Sequence, residues 1–144
     1  MSHHRSKTVA TWLAVVAGPL GLHRFYLYGW RDPVGLLFPL PTLLGLAGLV
    51  RLRMLGSDDP AVWVLLPVLG VVVGAAMLFA ILYGLMPDER WDARHNGGVR
   101  SPATAWAPVL GAIVALLVGG TALMSAAAMT AQKLVERHMA ATPH

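Results

Sequence analysis

Four long stretches of this chain contain no charged residue: positions 8–22, 33–50, 61–86 and 102–132, which hold 15, 18, 26 and 31 residues. A helix that crosses a bilayer needs about 20 mostly apolar residues, within a range of roughly 17–25. The last two stretches exceed that need and the second meets it. The first meets it when flanking residues at the interface are added. The expectation is an all-α chain: a polytopic integral membrane helical bundle with four crossing helices in two hairpins. Composition agrees, with 56% hydrophobic and 12% charged residues. Soluble domains average about 45–50% and about 25%.

Helix starts are punctuated. Asp32-Pro33, Asp59-Pro60 and Ser101-Pro102 each place a capping oxygen before a proline. Such an oxygen accepts from a free backbone N–H, and proline at the first helical position has no N–H to leave unpaired. The five tryptophans, Trp12, Trp30, Trp63, Trp91 and Trp106, fall near the ends of the apolar runs, as expected of interfacial anchors. The segmentation is then an N-terminal tail at 1–7, a first hairpin at 8–55, a second at 60–132 with a charged loop at 87–101, and a C-terminal tail at 133–144. A leader cleaved after Val15-Val16-Ala17 is the lesser reading of the N-terminus.

The net charge is +4, from eleven Lys and Arg against seven Asp and Glu. Because the positive residues sit between apolar runs, anionic lipid headgroups are the expected partner, and nucleic acid is not. With no cysteine, disulfides and thiol chemistry are excluded. Four crossings put both termini on one side. With that side cytoplasmic, six positive residues lie inside (Arg5, Lys7, Arg51, Arg53, Lys133, Arg137) and five outside (Arg24, Arg31, Arg90, Arg94, Arg100). That balance fixes no orientation.

The most ordered local pattern is Gly18-x-x-Gly21-x-His23-Arg24-Phe25-Tyr26-Leu27-x-Gly29. Gly18 and Gly21 permit close backbone approach, and Pro19 is expected to kink the first helix. Arg24 can reach phosphates or free helix-end carbonyls. Phe25, Tyr26 and Tyr28 are expected in the interfacial layer, and Gly29 in a turn with positive φ. Together they predict a hairpin with a basic-aromatic tip that anchors on headgroups or meets a partner. His23 has no carboxylate or second histidine within four residues, so no catalytic or metal role is assigned to it.

This pattern, preceded by Lys7, resembles the TM2 domain, a two-helix membrane module, over about residues 7–55. The resemblance implies a helical hairpin and a membrane protein of bacterial type, and it implies little chemistry. Two departures stand out. Tyr28 intervenes before Gly29, where family members often have glycine directly after Phe-Tyr-Leu. The second helix ends in Gly48-Leu49-Val50-Arg51-Leu52-Arg53, without the aspartate often found there, so Arg24 is expected to lack that partner.

Elsewhere, Pro39 and Pro41 are expected to bend the second helix, with Thr42 re-satisfying a freed carbonyl. Gly70 and Gly74, and the row Ala107, Gly111, Ala115 and Gly119, give small-residue faces for helix packing, against each other or a second copy. No apolar run contains Asp, Glu, Lys, Arg or His, which weighs against proton-coupled pumping and intramembrane proteolysis. Asp88, Asp92 and His95 would share one face of a short loop helix, a spacing that suits a divalent metal, and a solvated loop whose aspartates are balanced by Arg90 and Arg94 is the preferred reading. The functional expectation is a non-enzymatic interaction or regulatory protein of a multi-pass membrane, bacterial cytoplasmic by the resemblance, with no cofactor. Its partners would be membrane lipids and another membrane protein or a second copy. The alternative is a small transport or channel subunit that uses the proline-broken second helix.

Overall fold

The computed structural model describes residues 4–103 and 105–141, so the outermost parts of both tails lie outside it. The described residues form an all-α bundle with no strand. Helix α1 (Lys7–Ala17) starts at Ser6, whose Oγ accepts from the Val9 N–H. Pro19 has no N–H for the helical ladder, and α1 tightens into a 3-10 turn at Gly18–Leu20. Gly21 closes that turn in the left-handed region (φ 75) and donates its N–H to the Gly18 carbonyl at 2.8 Å. Helix α2 (Leu22–Tyr28) then runs back alongside α1, because the Ser6 N–H donates to Tyr26 Oη at 3.0 Å.

A second turn at Gly29 (φ 88) leads to Asp32, which caps α3 (Pro33–Leu37) by accepting from the Gly35 N–H at 2.7 Å. Here the Asp-Pro signal marks the helix start as expected. α4 (Pro39–Leu55) continues α3 with a break at Phe38. The Thr42 hydroxyl lies within hydrogen-bonding reach of the Phe38 and Pro19 carbonyls. It closes the proline break and ties α4 to the turn after α1.

α5 (Val62–Leu85) is the central helix. Gly45 and Gly48 of α4 pack on Leu69 and Leu65, Gly18 packs on Ala76, and α7 (Ala107–Ala141) packs along another side of α5 and also meets α1 at Gly111. Asp59 Oδ1 accepts from the Ala61 N–H at 3.0 Å, three residues ahead of α5. The Ser101-Pro102 signal starts no helix: the Ser101 N–H and hydroxyl both donate to Asp92, and α7 begins at Ala107. The short helix α6 (Asp88–His95) caps the end of the bundle where α1 begins. There Lys7 Nζ binds the Met86 carbonyl and the Asp88 carboxylate, and Trp91 Nε1 donates to the Arg5 carbonyl at 2.8 Å.

Three helices are long and apolar enough to cross a membrane: Pro33–Leu55 taken as one kinked helix, Val62–Leu85, and Ala107–Ala141. The apolar helix Lys7–Leu20 is shorter. The difference from four equivalent crossings has a local cause. Lys7 stands beside Met86 and Gly18 beside Ala76, so the first hairpin covers about 15 Å of α5 at ~1.5 Å per residue. The 3-10 turn then sends the chain back.

Candidate functional site

Every residue of the opening motif has an internal contact or a backbone task. A Cβ on Gly18 would stand 2.7 Å from the Ala76 Cβ, and one on Gly21 would collide with the Gly35 carbonyl oxygen. His23 is fully buried against Phe38, Phe79 and Tyr83, with ring centroids 5.3–5.9 Å apart. Leu27 is fully buried in the core. Phe25 stacks on Trp30 at 5.1 Å, Tyr26 accepts from Ser6, and Gly29 supplies its positive φ.

Arg24 does not lack an acid. Its Nε and Nη2 donate to Asp32 at 2.8 and 3.0 Å, and its guanidinium lies 4.5 Å from the Tyr28 ring centroid. The partner stands eight residues later, across the Gly29 turn, and not at the end of the second helix. This hydrogen-bonded pair, together with the Gly35 N–H, holds the Asp32 carboxyl below the usual carboxylate range. The motif is thus not a free basic tip. Its arginine is neutralised, and of its three aromatics Tyr26 packs against the core, Phe25 stacks on Trp30 and Tyr28 is exposed.

His23 is the unusual member. Both ring nitrogens lack a hydrogen-bond partner, as does the neighbouring Tyr83 hydroxyl. One imidazole nitrogen always carries a hydrogen, so a donor is left unsatisfied at a cost of about 1–3 kcal/mol. Apolar runs do not reveal this polar cluster, because His23 falls one residue beyond the first run and Tyr83 lies within the third as an aromatic.

The loop residues do not converge on a metal. Asp88 binds Lys7. Asp92 accepts from the Ser101 N–H at 2.7 Å, from the Ser101 hydroxyl, and from Asn96 Nδ2 at 2.8 Å. Those donors hold the Asp92 carboxyl low. His95 faces the rings of Trp91 and Tyr28. Among the described residues no group of three or more His, Asp and Glu comes together. His23 lies apart from all three, in the α2–α5 contact.

The small-residue rows pack within the chain. Gly70 meets Ala122 and Ala126, Gly74 meets Leu123, and Gly119 meets Met77, all between α5 and α7. Ala115 is fully buried in the same seam. Gly111 instead faces Thr11 and Trp12 of α1, so the α7 row serves two neighbours. The tryptophans divide similarly. Trp30 and Trp106 are exposed, while Trp91 is 2% exposed and belongs to the core.

What remains open to the surroundings at the α1–α6 end is a different set. Tyr28, Trp30, Arg31, Arg90, Arg94 and Arg100 are exposed there. Arg31 follows the α2 turn, and the other three arginines lie on or just after α6. Among the described residues these four arginines form no ion pair. No family model, curated protein or solved structure matches the chain.

Proposed function

We propose that the chain is a multi-pass membrane protein of non-enzymatic interaction type, with a TM2-like first hairpin, whose basic-aromatic end docks on anionic lipid headgroups. The observation that carries this reading is the group of exposed Arg31, Arg90, Arg94 and Arg100, which form no ion pair among the described residues, beside Tyr28 and Trp30, at the end of three helices of crossing length. Headgroup phosphates attract such arginines by about 1 kcal/mol each near the surface, and exposed rings sit well in the same layer. The docking residues are therefore Tyr28 and residues beyond the motif, not its His23 and Arg24.

In this reading the α1–α2 hairpin is re-entrant, and only three helices cross. Arg5, Lys7, Arg24, Arg31, Arg90, Arg94 and Arg100 then share one side, against Arg51, Arg53, Lys133 and Arg137 on the other. Seven against four favours a cytoplasmic α1–α6 end. A chain without cysteine permits a clean test. Single cysteines placed at His4 and at Arg31, both exposed, are labelled with a membrane-impermeant maleimide in sealed vesicles. Labelling from the same side supports three crossings, and labelling from opposite sides overturns them. For the docking itself, a photo-crosslinker at Tyr28 should capture anionic lipid. A single discrete protein adduct in place of lipid would replace the lipid reading with a partner protein.

The transport alternative gains no support from the broken second helix. The Thr42 hydroxyl fills the break, and Phe38 beside it is buried.

A further inference from the structure

On the face of α5 turned away from α4, a groove of about 430 Å³ runs between α5 and α7. Val71, Leu78 and Ile81 line one wall and Leu116, Gly120 and Leu123 the other. Gly120 makes the groove. A Cβ there would meet nothing within 4 Å, whereas one on its neighbour Gly119 would stand 2.6 Å from the Met77 Cβ. Gly119 lets the helices touch, and Gly120 leaves space beside the contact. Ile81 also lines a second, adjoining hollow of about 280 Å³ with Leu82, Leu85, Met86, Pro87 and Arg90. The two hollows form one apolar track along α5 that ends at an arginine. From Val71 to Met86 the track covers about 22 Å at ~1.5 Å per residue, more than the ~15 Å of one leaflet's hydrocarbon.

We infer that this track is a binding site for a single anionic phospholipid, with one acyl chain in the α5–α7 groove and the phosphate on Arg90. Three observations converge on that occupant. The long wall is almost wholly apolar, so it suits a hydrocarbon chain and not a peptide with unpaired backbone groups. Its length fits a chain and not a compact ligand. Arg90 is exposed and makes no ion pair among the described residues, and it stands at the end of the track where a headgroup would lie. A guanidinium matches phosphate oxygens through two parallel N–H donors.

The inference rests on the membrane reading above, and the test separates the two. The full chain is reconstituted in phosphatidylcholine vesicles that contain a phosphatidylglycerol probe with a photoreactive group near the end of one acyl chain. Peptide mapping then locates the adducts. They are expected on residues 71–81 and 116–123. Gly120→Leu fills open space without touching the α5–α7 contact, and it should lower groove adducts about tenfold, while Arg90→Gln should remove the preference for phosphatidylglycerol over a phosphatidylcholine probe by a similar factor. Adducts spread evenly over the exposed leucines of α4 and α7, and unchanged by Gly120→Leu, would overturn the site. Resistance of the chain to alkaline extraction is read in the same sample. A chain that is extracted fails the membrane reading, whereas a chain that stays inserted with scattered adducts fails only the lipid site.

Discussion

The α1–α2 hairpin and the α5–α7 pair are both helix against helix, yet they are held by different physics. The hairpin depends on special backbone and paired polar groups. Gly21 and Gly29 adopt positive φ, Arg24 grips Asp32, Tyr26 receives the Ser6 N–H, and Thr42 reaches Pro19. The α5–α7 pair depends on small residues alone: Gly70, Gly74, Gly84 and Gly119 let the backbones approach. Among the described residues no side-chain hydrogen bond joins these two helices within the apolar stretch. Only at the far end does Lys133 stand 4.9 Å from the Trp63 ring centroid. A chain that must reverse after about 15 Å has to satisfy broken backbone bonds on the spot. Two helices that cross side by side satisfy theirs internally and need only contact area.

That contrast can be broken first at the turn. Gly21→Val meets both the left-handed φ and the Gly35 carbonyl, and should cost more than ~3 kcal/mol. Loss of the folded form in a detergent melting experiment is expected, and a small shift would show that the turn is not fixed. Next comes the ion pair. Arg24→Met leaves a mostly covered Asp32 carboxylate, and should cost about 2–3 kcal/mol given partial screening. Adding Asp32→Asn should recover part of that, because the carbonyl oxygen of asparagine still caps α3. Failure to recover would mean that the pair is not the linkage.

On the other side of the comparison, Gly119→Val pushes α5 from α7 and should cost about 2 kcal/mol, with no effect on the α1–α2 contacts in a crosslink between positions 6 and 26. His23→Leu should do the opposite of a usual core change. It removes an unsatisfied donor while keeping an apolar contact with Phe38 and Phe79, so a gain of about 1 kcal/mol is expected. A marked loss would mean that the imidazole makes a hydrogen bond in the membrane.

The smallest effect is a pH dependence at the α6 cap. Asp92 is held below its ordinary value by the Ser101 N–H, the Ser101 hydroxyl and Asn96. The folded form therefore binds fewer protons than the unfolded one. The contribution is present above the ordinary aspartate range and fades as pH falls through it. Hydrogen exchange over residues 88–101 should rise in acid, and Asp92→Asn should flatten that response.

Much of the fold was legible in the sequence because apolar length and helix caps are local properties. Asp32-Pro33 marks α3, Pro87 with Asp88 and Glu89 opens α6, and Asn96-Gly97-Gly98 follows its end. The small-residue rows marked the seam that α5 and α7 share. The site was less legible. The His-Arg-Phe-Tyr stretch looked like an exposed tip because basic and aromatic residues are as common at an interface as in an internal clamp. The discriminating fact, which carboxylate faces Arg24, depends on a turn of backbone and not on spacing. Trp91 was placed with the interfacial rings for the same reason: position near a run end does not say which way an indole points.

The sequence by itself determined that the chain is helical, how much of it is apolar enough for a membrane, and where α3 and α6 begin. Those follow from composition, proline and caps, which act within a few residues. Tertiary structure decided that residues 22–28 return along α1, that Arg24 is spent on Asp32, that Gly111 serves α1 while Gly119 serves α5, and that Gly120 leaves a groove. Each of these depends on which surfaces meet. A glycine permits both a contact and a gap, and only the neighbouring helix determines which of the two it makes.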